Sequence, residues 1–418
     1  MDMLSKERLL HNFNAMKEFT DTEDGITRLA FSDEDWRARE FISGLMKKAG
    51  LTVRSDSFGN LIGRREGSDP AADVVMFGSH IDSVPKGGNF DGVMGVLASI
   101  EVINWLNENN FVNENPLEVV VFMAEESSRF GAANLGSRAF CGTLTSQELD
   151  ALVDDMGISL ADMLRYRGLD PALLDTVKYT GELKAFLEIH IEQGKLLEAA
   201  GKQIGIVTGI AAPTRLKIIL SGDADHSGAT PMYLRHDGLC AAAEIILLVE
   251  KLANEAKGQL VGTVGAIQVS PGVMNVIPGR VELGVDIRST SMSAKVHMVN
   301  QLLPKVKEIA AQRDIPVHIK TIVNETPVII QEMVQDSLID ICKAADYSYM
   351  KLPSGAGHDA MHIAAIAPTG MIFIPCKGGI SHNPAESVSM EHIVAATDVL
   401  YQAICKLSQK EFKWKQPV

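Results

Sequence analysis

The apolar run Val74-Val75-Met76-Phe77 passes directly into GSHIDSVPKGGNFDG, residues 78–92, so His80, Asp82 and Asp91 stand at the end of a segment that reads as a buried strand. Taking three ionisable groups to the edge of a core is costly unless something pairs with them. A metal ion is such a partner, and the arrangement recurs along the chain. Glu125 and Glu126 follow LEVVVFM, His190 and Glu192 lie at the end of AFLEIHIEQG, and His382 follows MIFIP in CKGGISHNPAE. Each group sits just beyond the C-terminal end of an apolar strand. Val-rich runs of this kind suit a sheet covered on both faces. In open α/β sheets ligands bind at that edge, so residues far apart in sequence can converge there.

The first half alternates helical and strand patterns, which gives the α/β class. Helices are read at 33–50 and 92–110, with short strands at 51–54 and 61–64 and a buried one at 73–79. The pattern then changes. Strands at 214–222, 260–269, 280–289 and 316–323 and helices at 239–256 and 294–312 follow the order β-α-β-β-α-β, a ferredoxin-like arrangement. A helix at 332–345, a strand at 371–375 and a helix starting near Met390 return to the first theme. The expected organisation is a catalytic domain in two parts, residues 1–211 and 328–418, interrupted by an inserted α+β domain at 212–327.

Composition narrows the partners. The 418 residues carry a formal net charge of −14 with no basic cluster, which argues against nucleic acid or an anionic membrane. No apolar run reaches the length of a membrane span. The N-terminal MDMLSKERLLHNF lacks the apolar core of a signal peptide. Cys141, Cys240, Cys342, Cys376 and Cys405 are scattered singly, as reduced thiols of a cytoplasmic protein would be. An anionic small molecule would need a local arginine or metal to overcome the overall charge.

The candidate ligands are histidine and carboxylate without cysteine, a set that suits zinc, manganese, cobalt or nickel in a catalytic role. They are too many for one tetrahedral ion with an open position. Two ions sharing Asp91 would use them all. Successive side chains at a strand end point apart, so one glutamate of the Glu125-Glu126 pair can bind metal while the other acts as general base. Taken singly these signals are weak: a histidine after a strand is as often structural, and a Glu-Glu pair is usually a solvated one. Their recurrence at one sheet edge carries the reading. His11, His236, His297, His318 and His392 are read as bystanders.

GSHIDSV, GGNFDG, AEESSRFG, HIEQG and GISHNPAE resemble the two-metal amidohydrolases related to aminoacylase and carboxypeptidase G. Within that superfamily they look like the hydantoinase/carbamoylase branch, which includes N-carbamoyl-L-amino acid amidohydrolase, β-ureidopropionase and allantoate amidohydrolase. The resemblance implies a zinc-peptidase-like α/β catalytic domain with an inserted ferredoxin-like lid and dimerisation domain. It assigns His80, Asp91 and His190 to one divalent ion, Asp91, Glu126 and His382 to a second, and Glu125 as base, with Asp82 orienting His80. It also implies that His226, in ADHSGATPM, stabilises the oxyanion, where the residues alone favour a turn histidine capped by Asp225 and Ser227. Gln193, Asn275, Arg288 and the Gly355–Gly357 stretch match substrate-binding positions. Arg215 matches an arginine of allantoate hydrolases, although Ala212-Pro213 departs from the pattern beside it. The implied reaction is metal-dependent hydrolysis of a ureido C–N bond in a small carboxylate substrate. An N-carbamoyl-L-amino acid giving amino acid, CO2 and ammonia is the first expectation and allantoate the alternative. Aminoacylase or dipeptidase activity ranks below both, because peptidases of the superfamily usually place a carboxylate where His190 stands. A homodimer formed through the inserted domain is also implied.

Overall fold

The computed structural model describes residues 3–414; the ends of the expected domain, 1–2 and 415–418, lie outside the described residues. Among the described residues thirteen strands follow in chain order: β1 (Thr52–Ser55), β2 (Leu61–Arg65), β3 (Val74–His80), β4 (Leu117–Phe122), β5 (Leu183–Ile191), β6 (Ile204–Ile210), β7 (Ala212–Ser221), β8 (Val261–Ser270), β9 (Arg280–Ser289), β10 (Val317–Asn324), β11 (Val328–Ile329), β12 (Tyr349–Ser354) and β13 (Thr369–Ile374). The chain divides into two compact units. One comprises residues up to Thr208, Ile330–Leu352 and the stretch from Gly357 onward; the other comprises Gly209–Ile329 with Pro353–Ala356.

The first unit is built on a mixed sheet in which β4, β3, β5 and β13 are adjacent and parallel. Every residue of β3, β4 and β13 is buried, which is why these strands read as unbroken apolar runs rather than alternating ones. The chain goes from β3 to β4 on one side, and β5 then pairs on the other side of β3. That reversal opens a crevice beyond the C-terminal ends of β3 and β5. Helix Val93–Glu108, which follows β3, is buried over most of its length and lacks a polar face. Helix Asp33–Lys48 is the opposite case. Ser32 accepts a hydrogen bond from the Asp35 amide, Asp33, Glu34 and Asp35 fill the first turn, and Lys47 and Lys48 close the last. Each choice satisfies free helix ends or opposes the helix dipole. Gly50 at φ +85° ends it.

The second unit is a four-stranded antiparallel sheet of order β10-β7-β9-β8, with helices Gly238–Glu255 and Met292–Gln312 as its crossovers. This is ferredoxin-like topology. Burial alternates residue by residue along β7 and β9, so one face meets the helices and the other stays open. Leu216, Ile218, Leu220, Leu283, Val285 and Ile287 meet Ile245, Val249, Met298 and Leu302 in the core.

Sequence reading left out β6, β11 and β12 and the short helices Leu135–Phe140, Ser146–Ala151 and Leu160–Tyr166. IGIVTGI is broken by glycine and YMKLPS mixes lysine and proline, so neither shows a clean period. The three helices are six or seven residues long, too short for an amphipathic stripe.

One substitution should act with opposite signs at two glycines. A Cβ at Gly78 in β3 would lie 1.9 Å from the Val120 carbonyl oxygen of β4, whereas a Cβ at Gly44, inside helix Asp33–Lys48, meets nothing within 4 Å. Gly44→Ala should stabilise by about 0.5–1 kcal/mol. Gly78→Ala should destabilise by about 3 kcal/mol or more. Thermal melts of the two variants check the pair.

Candidate active site

Asp91 is the hub of the crevice. Its Oδ1 lies 3.5 Å from His80 Nε2 and 3.1 Å from His190 Nε2. Its Oδ2 lies 3.4 Å from His382 Nε2, and Glu126 Oε1 lies 3.2 Å from the same nitrogen. Two clusters result, His80–Asp91–His190 and Asp91–Glu126–His382, and in each one atom per residue lies within 4.8 Å of the others.

The fold explains this convergence. His80 closes β3 and His190 is the penultimate residue of β5, the two strands that flank the chain reversal. Their rings stack at 5.8 Å. Asp91 sits in the loop before helix Val93–Glu108, next to Gly92 at φ +63°. Glycine is needed there for the turn and for space, because a Cβ would lie 2.4 Å from His80 Nε2. Glu125 and Glu126 follow Ala124, which turns the chain out of β4 at φ +55°. His382 stands at φ +55° in the loop after β13 and is half exposed.

The nitrogens and oxygens fit a divalent cation. His80 Nδ1 lies 3.1 Å from the Asp82 carbonyl and His190 Nδ1 2.9 Å from the Ile191 carbonyl. Carbonyls only accept, so both Nδ1 atoms carry hydrogen, and in the neutral rings both Nε2 atoms present lone pairs. Those lone pairs face a carboxylate oxygen, which is repulsive unless a proton or cation lies between. His80 Nε2 is buried and has no hydrogen-bond partner. The electrostatics agree. Burial opposes charge on His80, but Glu125, Asp82 and Asp91 outweigh it and hold the imidazole well above its usual range. Asp91 and Glu126 push His382 up to about 11. Burial would raise Asp91, but His190, His382 and His80 bring it well below the usual carboxylate value. The cluster attracts positive charge.

Asp82 is fully buried and does more than face His80. Its two oxygens accept the Glu125 amide at 3.2 Å and the Glu126 amide at 3.0 Å, and Oδ1 lies 3.6 Å from His80 Nδ1. It therefore fixes the backbone that presents both glutamates. Glu126 points to His382, while Glu125 Oε2 lies 3.7 Å from His80 Nε2. Burial pushes Glu125 well above the ordinary carboxylate range, and Glu126 is raised for the same reason. Gln193, at φ +56°, donates from Nε2 to Asp91 Oδ2 at 2.6 Å.

Some residues of this centre escaped sequence reasoning. Ser381 Oγ lies 2.9 Å from Asp91 Oδ2 and 3.0 Å from Glu386 Oε2. Glu386 Oε1 accepts the amides of Phe90 at 2.8 Å and Asp91 at 3.2 Å, and burial pushes its carboxyl up to about 7. Both residues stand in the segment ISHNPAE around His382, but only the folded loop turns them onto Asp91. The buried ring of His358 packs at 4.5 Å against His190. Asn134 donates from Nδ2 to Glu125 Oε1 at 2.9 Å.

His226, Arg215, Asn275, Arg288 and Gly355 belong to the second unit, and Gly357 to the first. His226 pairs with Val276 in a short bridge, and the Ser227 amide donates to the Asn275 carbonyl at 3.0 Å, which brings His226 and Asn275 together on an exposed tip. His226 Nδ1 accepts the amides of Gly228 and Ala229, each at 3.1 Å. Its hydrogen is therefore on Nε2, which makes this imidazole a donor. Arg288 grips Asp286 through Nε and Nη2, each at 3.1 Å, and donates from Nη1 to the Gly355 carbonyl at 3.2 Å. Arg215 Nε reaches the same Asp286 at 3.2 Å, so one carboxylate spaces two guanidinium groups.

Comparison with known proteins agrees with this architecture. The chain is 42% identical to an N-carbamoyl-L-amino acid amidohydrolase of Geobacillus stearothermophilus over 98% of its own length and 100% of that protein's. It is 34% identical to an allantoate amidohydrolase of Bacillus subtilis, covering 91% of this chain and 93% of the relative. A crystal structure of an amidase of the hydantoinase/carbamoylase family from Burkholderia multivorans superposes with a TM-score of 0.89 at 36% identity, covering 96% of this chain and 98% of that one. Residues 76–406, from within β3 into the C-terminal helix, match the pattern of peptidase family M20/M25/M40, and the chain belongs to that family.

Proposed function

We propose that this protein is a dinuclear metal-dependent amidohydrolase that cleaves the ureido C–N bond of an N-carbamoyl-L-amino acid, releasing the amino acid, CO2 and ammonia. The observation that carries the reading is Asp91, whose two oxygens face separate donor clusters while Glu125 stands beside them outside both. The carbamoyl-amino-acid amidohydrolase to which the chain is 42% identical over its whole length supports the substrate class. His80, Asp91 and His190 would hold one ion, and Asp91, Glu126 and His382 the other; a nitrogen and oxygen set without thiolate suits zinc, manganese, cobalt or nickel. Such a pair would lower the pKa of a bound water to about 7 and would polarise the carbonyl.

The chain's own groups do the rest. Glu125 takes a proton from the attacking water, whose oxygen joins the carbamoyl carbon. The C–N bond then breaks, Glu125 returns the proton to the leaving nitrogen, and the carbamic acid left behind loses CO2 by breaking its own C–N bond, which frees the second amine. Burial raises the proton affinity of Glu125, which suits a base that must give its proton back. Gln193 orients Asp91 and the substrate beside it. His226, whose Nε2 carries hydrogen, is suited to donate to the oxygen that becomes negative. Arg288 would bind the substrate carboxylate, with Asn275, Gly355 and Gly357 lining the substrate. Arg215 reaches Asp286 beside Arg288; its match to an arginine of allantoate hydrolases favours the second reading, allantoate. The second unit is proposed as lid and dimerisation domain, and the protein as a cytoplasmic homodimer. Release of ammonia from a panel of N-carbamoyl-L-amino acids and allantoate tests the substrate. No turnover of any member would overturn the reading.

Glutamine at the two adjacent glutamates should give different outcomes. Glu125→Gln should retain two ions per subunit and lose turnover by about 10³-fold or more, whereas Glu126→Gln should lose one ion. Metal analysis beside steady-state kinetics checks both, and the reverse pattern would exchange the two roles. Metal uptake should also release protons. His382, held at about 11 in the metal-free protein, is protonated at pH 7, and only the neutral imidazole binds metal. Apparent affinity should therefore fall about tenfold per pH unit on acidification for each proton displaced. Calorimetry in two buffers of different ionisation enthalpy measures that proton. If His226 serves the neighbouring subunit, mixing inactive Glu125→Gln and His226→Ala proteins should restore up to about a quarter of wild-type activity after subunit exchange. No recovery in proven mixed dimers would place both residues in one subunit's site.

A further inference from the structure

Glu125 follows directly from β4 yet must keep one carboxylate oxygen aimed at a fixed point. Its neighbours explain how. Residues 134–136 run back along the chain that leaves β4: the Asn134 amide donates to the Glu125 carbonyl at 2.8 Å, Leu135 to Ala124 at 2.9 Å and Gly136 to Met123 at 2.8 Å. Gly136 permits this approach, since a Cβ there would lie 2.4 Å from the Met123 carbonyl oxygen. Asn134 is buried and adopts the left-handed conformation, φ 57° and ψ 32°, which asparagine tolerates better than most residues.

Its side chain is used unusually. Asn134 is the N-cap of helix Leu135–Phe140, where an asparagine normally bonds the free amides of its own helix, but it makes no such bond. Its Nδ2 instead donates to Glu125 Oε1 at 2.9 Å. A carboxylate only accepts, so the amide nitrogen, not the oxygen, must face it. The carbonyl end of the same amide is directed to the glycine loop, where a Cβ at Gly357 would lie 3.7 Å from Asn134 Oδ1.

We infer that Asn134 is the positioning residue of the base: it holds Glu125 Oε1 and leaves Oε2, the oxygen 3.7 Å from His80 Nε2, as the atom that exchanges the proton. The proton arrives at Oε2 from the attacking water and leaves on the departing nitrogen, so Glu125 ends each cycle unchanged. Without the amide the carboxylate is free to rotate about its terminal torsion, which is broad and nearly two-fold, and the reacting oxygen is no longer defined. The inference rests on the reading that Glu125 is the base.

Two substitutions suit the left-handed backbone and so spare the fold. Asn134→Gly removes the side chain with no steric penalty, and Asn134→Asp keeps its shape but replaces the donor with an acceptor. In the metal-loaded full-length enzyme both should retain two ions per subunit and a KM within about twofold of wild type, with kcat lowered about 10–100-fold and the larger loss in Asn134→Asp. Wild-type kcat in Asn134→Gly would overturn the assignment. So would a loss of kcat matched by a proportional loss of bound metal, which would mark Asn134 as part of the metal scaffold alone. Glu125→Gln assayed alongside separates the two levels. Full turnover in that variant removes the base and this inference with it, whereas an inert Glu125→Gln beside a fully active Asn134→Gly removes only the role of Asn134.

Discussion

The Asp91 carboxylate organises everything around it. It is a buried anion approached by three imidazole nitrogens at 3.1 to 3.5 Å, two of which have their hydrogens committed elsewhere. A carboxylate in that position is held only while positive charge is near it. The rest of the first unit can be understood as the means of bringing the charges to one point. β3 and β5 deliver two histidines from either side of the chain reversal, Gly92 lets Asp91 approach them, and the loop after β13 closes from the far side.

That closure depends on bonds between loops as well as on strand ends. Glu386 accepts two consecutive amides of the Asp91 loop, and Ser381 lies between Glu386 and Asp91 itself. Gly88 must be glycine for this contact, because a Cβ there would lie 2.1 Å from the Glu386 carboxyl. Asp82 does the same for the opposite wall by binding the amides of Glu125 and Glu126. Carboxylates bound to backbone amides thus hold the loops that carry Asp91, Glu125 and Glu126. Loops so fastened keep the geometry that a strand would give while turning side chains in directions a strand cannot.

This division explains what could be read in advance. The central strands announce themselves by composition, continuous in β3, β4 and β13 and alternating in β7 and β9, and the residues just beyond the first group mark the candidate site. His80, Asp91, Glu126, His190 and His382 were legible as a set because each follows an apolar run. Ser381, Glu386 and Asn134 were not. They act through loop conformations, with Asn134 and His382 in left-handed backbone, and no periodicity encodes where such a side chain points. Asp82 was legible as a partner of His80, but its two bonds to the Glu125 and Glu126 amides required the path of the chain after β4, where Ala124 turns at φ +55°.

The second unit applies the same device to the opposite charge. Arg288 and Arg215 project from neighbouring strands β9 and β7, where two guanidinium groups would repel, and Asp286 sits between them. Arg288 gives Nε and Nη2 to Asp286, so its orientation is set by the fold; in its proposed role toward a substrate carboxylate, the bond from Nη1 to the Gly355 carbonyl is the one that the anion would replace. An exchange of a neutral acceptor for a charged one favours the anion, since hydrogen bonds between ionised partners are about twice as strong as those between neutral ones. A fork fixed in this way would lose little side-chain freedom on binding the proposed substrate carboxylate. Asp91 and Asp286 therefore have parallel places in the two units: one buried carboxylate gathers imidazoles, and one half-buried carboxylate spaces guanidinium groups, the latter for the substrate anion if the proposed role of Arg288 holds.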